Sequence, residues 1–382
     1  MKKYILSILF FTLPIIFVMF LADYFISNNH KKNHSYPGEI EVWNDIYAGN
    51  IDSDIAIYGS SRAWVHINPS ILEDSLNLKA YNFGIDGHNF WLQYLRHKEY
   101  LKYNNSPKII LLAVDVFSLQ KREDLYELDQ FLPYMLWNKN IIKFTSSYNG
   151  FTYKDYYFPL LRYGGKIRKI ENLFNLEQDD SIEITYRQNG FRGMEREWNN
   201  DLAKAKLKMS QYKIEIDSSS VNLFNQFLIE SKENKIKVIL VYTPEYIDGQ
   251  KFVENRNEII KIYKDFAIKY NLLFLDYSND DLCTKKELFY NSSHLNKKGA
   301  DIFTRKLSSE LKARTHNRVD GSAPVATFLG KATMQAIHIE NFAKENAANY
   351  FDYVFELIKK IDQRLIDKSE KTSIYSSRRL RS

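Results

Sequence analysis

At 382 residues, with 45% hydrophobic and 26% charged residues, the chain is long enough for one large domain or two. Its net charge of +6 is small, and Arg378, Arg379 and Arg381 at the C-terminal end supply part of it, so the balance does not point to nucleic acid. The lone cysteine, Cys283, excludes an intramolecular disulfide and a cysteine-built metal site.

Lys2 and Lys3 precede Ile5–Leu21, an apolar run interrupted only by Ser7, Thr12 and Pro14. With residues 22–26 the segment reaches membrane-spanning length. No small-x-small cleavage site follows, so residues 1–26 read as an uncleaved signal anchor, in the membrane through residues 4–26. A cleaved signal peptide is the alternative. The short lysine-bearing end is expected in the cytoplasm, which makes the main domain periplasmic or extracellular. Residues 27–50 are polar, contain Pro37-Gly38 and read as a stalk, with Trp43, Ile46 and Tyr47 packing against the domain that follows.

The folded domain is expected over 51–312. Asp54–Arg62 (DIAIYGSSR) is a short β-prone run stopped by Gly59. A helix over 71–76 follows Pro69-Ser70, since Pro suits a helix start. Residues 79–85 (KAYNFGI) predict a second strand, and Phe90 to Tyr103 has helical apolar spacing. Residues 108–116 (KIILLAVDV) are continuously apolar, as expected of a strand buried on both faces. The alternation then lapses. Residues 117–215, rich in Tyr, Phe and Trp, read as a long, partly helical insertion that serves as an accessory core, a lid or a sugar-stacking surface. Regularity returns with a helix over 221–233, a strand over 237–242, a helix over 257–270 and a strand over 272–277. A last helix runs to about Lys312. Strand and helix repeated at this spacing predict a three-layer α/β fold, with five parallel strands in flavodoxin-like order. Beyond 312 the composition changes: ten alanines occur in the first 312 residues and eight in the last 70. Residues 313–324 read as a linker, 325–365 as a helical tail and 367–382 as a basic disordered end.

A serine at the C-terminal end of the first strand is where an open α/β sheet exposes reactive side chains. A serine nucleophile needs a base, and His294 follows the last strand of the sheet, at the same edge as Ser61. Without a base, Ser61 reads as a turn or capping residue. Arg62 is placed to bind an anionic substrate group or to pair within the protein. His66 and His88 lie near the same strand ends, as substrate contacts or as loop residues. No GxxxxGK[ST], HExxH, EF-hand or paired Cys/His spacing occurs, so neither cofactor nor metal is expected.

At these residues the chain resembles the SGNH/GDSL hydrolase superfamily. The Gly-Asp-Ser block corresponds to Gly59-Ser60-Ser61, which implies Ser61 as nucleophile and Ser60 as the weaker choice. The Asn-x-Gly-x-x-Gly block corresponds to Asn82 through Gly87 and implies Gly87 as an oxyanion donor, beside Ser61 itself. Asp115 stands where the family presents an Asn; an ionised carboxylate only accepts hydrogen bonds, so it cannot replace that donor. The Asp-x-x-His block corresponds to Asn291-Ser292-Ser293-His294, with Asn291 in place of the orienting Asp. An outward-facing domain of this kind on a membrane anchor is similar to the accessory proteins of surface-polysaccharide O-acylation. That resemblance implies an esterase or O-acyltransferase acting through acyl-Ser61 on a cell-surface polysaccharide. Its partners would be an acyl donor and a membrane-bound O-acyltransferase. The alternative is a catalytically decayed glycan-binding or assembly protein.

Overall fold

The structure is a computed structural model that describes residues 2–32, 39–165 and 187–316. The chain divides into two compact units, Met1–Lys312 and Ala313–Ser382. The linker, tail and basic end expected at 313–382 lie outside the described residues, apart from the end of the last helix.

The elements of the first half, in order, are α1 (Lys2–Lys31), α2 (Glu39–Ala48), β1 (Ile55–Gly59), α3 (Ser61–His66), α4 (Pro69–Leu76), β2 (Ala80–Asn82), α5 (Phe90–Tyr103), β3 (Ile109–Val114), α6 (Lys139–Thr145) and α7 (Tyr153–Tyr157). The second half holds α8 (Asp201–Lys208), α9 (Ser218–Glu233), β4 (Lys237–Tyr242), α10 (Ile247–Phe252), α11 (Arg256–Tyr270), β5 (Leu273–Asp276), β6 (Phe289–Asn291), β7 (His294–Leu295) and α12 (Lys297–His316). Strands β2-β1-β3-β4-β5 form one parallel sheet, and β6 with β7 makes a small antiparallel hairpin. This is the three-layer order expected from the alternation of strands and helices.

Side chains alternate across the sheet, which is why its central strands read as unbroken apolar runs. Ala56, Tyr58, Ile110, Leu112, Val114, Val238, Leu240 and Tyr242 enter one core with α2, α5, α9 and α11. Ile57, Leu111, Ala113, Ile239 and Val241 enter the opposite core with α3, α4 and α12. Gly59 closes β1 at φ +147°, and a Cβ there would lie 2.6 Å from the Ala113 carbonyl oxygen and 2.7 Å from the Ala63 Cβ. Only glycine lets α3 start so close to β3.

One expectation changes. The segment 27–50 is no stalk: α1 continues to Lys31, and α2 buries Ile40, Val42, Trp43 and Ile46 in the main core. Its polar composition misled because Glu39, Glu41, Asn44 and Asp45 are interleaved with the buried apolar residues of α2. Of the readings open for the insertion, its described residues favour the accessory core: Phe131, Met135, Ile141, Phe144, Tyr148, Phe151, Tyr156 and Tyr163 join the cluster around α5.

Within α1, Phe10–Lys31 is long and apolar enough to cross a membrane, with a mean hydropathy of 2.0 over its most apolar window.

Candidate active site

Ser61 is the first residue of α3, and Ser60 caps that helix by accepting the Arg62 amide on its hydroxyl. Ser61 stands at the C-terminal end of β1, partly open to solvent. The β6–β7 hairpin brings His294 to it, with Ser61 Oγ 2.7 Å from His294 Nε2. Across the tight turn, Asn291 Oδ1 accepts from the Ser293 amide (3.0 Å), the His294 amide (2.9 Å) and His294 Nδ1 (2.9 Å). The two backbone donors fix which end of the amide faces the turn, because an NH2 group there would meet two N–H groups. Nδ1 is therefore the protonated nitrogen, and Nε2 is free to accept the Ser61 hydroxyl. Burial, followed by the Arg62 guanidinium, pushes the His294 imidazole down to about 3, so it is neutral at ordinary pH.

Two aromatic rings hold this imidazole. Tyr290 stacks on it at a centroid distance of 5.3 Å and 8°. His66 meets it edge-on at 6.1 Å. His66 Nε2 accepts the Leu295 amide (2.9 Å), and its Nδ1 pairs with the Thr243 hydroxyl (2.8 Å). His66 is fully buried, and burial, with Arg62 and His294 beside it, holds it well below its ordinary value. Neutral His66 thus pins the β7 backbone next to the base. The sequence offers His66 only as a substrate contact or a loop residue and gives no sign of Tyr290. His66 comes within reach only when α3 packs on β7, 229 positions away in sequence.

The two departures in the first and third blocks face each other. The Ser60 hydroxyl donates to Asp115 Oδ2 at 2.5 Å, and the Phe117 amide donates to Asp115 Oδ1 at 2.8 Å. Asp115 is buried and accepts at both oxygens, so it braces the nucleophile loop and does not serve as an oxyanion donor.

Gly87 has φ +66°, and a Cβ there would lie 2.4 Å from the Tyr126 ring. Burial and the negative Glu39 push Asp86 up to about 6, against the pull of Arg187 and the Gly87 amide. The loop before Gly87 is fastened from α2. Glu39 Oε1 accepts the Asp86 amide (3.0 Å), and the Glu39 carboxylate lies between the guanidinium groups of Arg96 (2.5 Å) and Arg187. Both arginines also donate to the Gly84 carbonyl. Burial pushes the Glu39 carboxyl up, but Arg187, Arg96 and the Asp86 amide more than offset this and hold it at about 2.

Arg62 and His88 are both buried and partnered within the protein. Arg62 is buried; it bonds to the Thr243 hydroxyl and carbonyl, lies 3.6 Å from Glu245 and covers the Tyr242 ring at 4.7 Å. Thr243 and Glu245 follow β4, so Arg62 ties α3 to the next strand end. His88 is buried between Tyr126 and Phe131, with Gln130 3.2 Å from its Nε2. Burial pushes it down to about 3. An arginine or a histidine at a strand end shows its charge in the sequence but not its direction.

A groove of about 630 Å³ runs between residues 194–197 and the start of α12. Met194, in its wall, packs with Trp64, Val65 and Tyr290, one ring away from His294. Among the described residues no cluster of His, Cys, Asp and Glu could hold a metal ion.

No family model matches the chain, and no curated protein matches it. Solved structures of GDSL-type hydrolases are similar to it. An acetyl xylan esterase is 13% identical, with a TM-score of 0.34 over 68% of this chain and 98% of that one. A GDSL-like lipase from Bacteroides thetaiotaomicron is 10% identical, with a TM-score of 0.33 over 72% of this chain and 98% of that one.

Proposed function

We propose that the chain is a serine-dependent esterase or O-acyltransferase of the SGNH type, working through an acyl-Ser61 intermediate. The observation that carries this reading is the 2.7 Å Ser61–His294 hydrogen bond, with the imidazole tautomer set by Asn291. Ser61 Oγ attacks the acyl carbon while its proton passes to His294 Nε2. The carbonyl π electrons move onto oxygen, which the Ser61 amide at the start of α3 is placed to receive. The Gly87 amide, the second donor that the family resemblance implies, joins it. Collapse expels the alcohol, which takes the proton from His294. A second hydroxyl, of water or of a sugar, then attacks the acyl-serine by the same route and restores Ser61.

Asn291 orients the ring but lends no negative charge to the imidazolium that forms. The Tyr290 face lies flat against that ring and offers its negative quadrupole instead. The apolar stretch of α1 supports a single-pass membrane protein with this domain on the outer side. The acceptor that suits such a location is a hydroxyl of a surface polysaccharide, with a membrane-bound O-acyltransferase as the acyl source.

The test is intact mass spectrometry of the purified chain mixed with an activated acetyl ester. One acetyl adduct is expected. Ser61→Ala should abolish it, His294→Ala should slow it by roughly 10³-fold or more, and Ser60→Ala should keep it. Folded protein that never gains the adduct would support the alternative of a binding protein with a decayed site. Release of the adduct by glycan faster than by water assigns the transferase, and the reverse assigns the esterase.

A further inference from the structure

We infer that the segment Trp137–Leu161 of the insertion is a membrane-seating surface, which lays the folded domain directly on the lipid headgroups beside α1. This rests on reading α1 as a membrane helix. Its apolar residues 4–22 would span about 28 Å at 1.5 Å per residue, close to the thickness of a bilayer core. Along this stretch Phe10, Phe11, Phe17, Val18 and Leu21 are exposed.

The helix does not leave that layer on a loose tether. At Asp23 it becomes part of the domain. Asp23 is buried, accepts from Arg162 at 2.6 Å and takes the Leu160 amide at 2.7 Å. Ser27 bonds to Tyr163 at 2.5 Å, and His30 Nε2 lies 3.0 Å from the Asp129 carbonyl. The boundary between lipid and protein contact thus falls within one turn of α1.

At that level the insertion exposes large apolar side chains. Trp137, Tyr153, Tyr157, Phe158 and Leu161 are 43–65% exposed. They belong to one patch. The Trp137 indole donates to the Tyr157 carbonyl and lies 5.5 Å from Phe20 of α1. Tyr153 and Tyr157 are four apart on α7, so they share a face. Leu161 adjoins the residues that grip Asp23. Tyr24 and Phe25 of α1 continue the ring of exposed aromatics, and Lys139 and Lys154 are exposed within the same segment. Tryptophan, tyrosine and lysine collected at the end of an apolar helix match the composition of a bilayer interface. Phe20, a lipid-level residue, already touches Trp137, so the patch is continuous with the lipid-facing surface of the anchor.

The test uses the full chain, with Cys283 replaced by Ala, in nanodiscs of phosphatidylcholine and phosphatidylglycerol. A spin label is placed at Phe158→Cys, Phe17→Cys or Ile268→Cys in turn, and collisions with oxygen and with a water-soluble nickel chelate are compared. Oxygen should dominate at 158 and 17 and the chelate at 268. Arg162→Met should shift 158 toward the chelate and leave 17 unchanged. Chelate dominance at 158 with oxygen dominance at 17 overturns the proposal. Chelate dominance at 17 removes the membrane reading of α1 itself. A label at 158 that is shielded in cell membranes but wet in nanodiscs also overturns it, in favour of a protein partner on the patch.

Discussion

At the residue scale the proposed mechanism rests on His294, whose neutrality sets the expected pH behaviour. A base held at about 3 by burial and Arg62 stays able to accept a proton far below the ordinary histidine range. Activity is lost only as pH falls through that depressed value, so the acid limb of kcat/KM should lie well below pH 6.5. Asn291→Asp would place a carboxylate on Nδ1 and favour the imidazolium, moving the limb upward by about 1–3 pH units. A wild-type limb at 6.5, or a limb that does not move in Asn291→Asp, would show that the ring is not held as described. Ser61, His294 and Asn291 could be found from the sequence because each stands in a short block at a strand end. Arg62 and His88 could not be placed, since burial reverses what their charge suggests. Tyr290 was missed, and His66 was named without its role, for a different reason: ring stacking and an amide acceptor leave no spacing signal.

The element that most changes the picture is α2. Its Glu39 joins two buried arginines behind the loop that holds Gly84 and Gly87. Removing one partner of such a group strands uncompensated charge, so Glu39→Gln should destabilise the fold by about 3–5 kcal/mol in urea unfolding at pH 7. The pH sign follows from the depressed carboxyl. Its stabilisation is complete above the unfolded value of about 4.3 and disappears as pH falls toward 2. The variant should therefore lose less stability than wild type between pH 5 and pH 3; an equal loss would remove Glu39 from the account. Trp43→Ala, which empties a fully buried site in α2, should cost about 3–5 kcal/mol. The parallel strands were readable because burial on both faces writes itself as continuous apolar runs. Helix α2 was not, because half of its residues are polar and its partners, Arg96 and Arg187, lie 57 and 148 positions away.

The whole molecule joins distant parts of the chain at one sheet edge. The five-stranded order was legible from alternation alone, whereas the insertion, with no strand–helix period, disclosed only its aromatic content. The Ser61–His294 contact closes 233 positions. A chain made from its N-terminus forms β1, α3 and β2 long before the hairpin that carries the base exists. Until β6 and β7 dock against α3, Ser61 is an ordinary alcohol. In refolding from urea, ester cleavage should therefore return in step with the slowest structural phase, since contacts of such long range form late. Burial of Trp43, in the core away from the hairpin, should come first; activity that returned before it would contradict this order. On the proposed mechanism the nucleophile is thus born unarmed, and a chain that lacks the hairpin cannot acylate itself or its surroundings through Ser61.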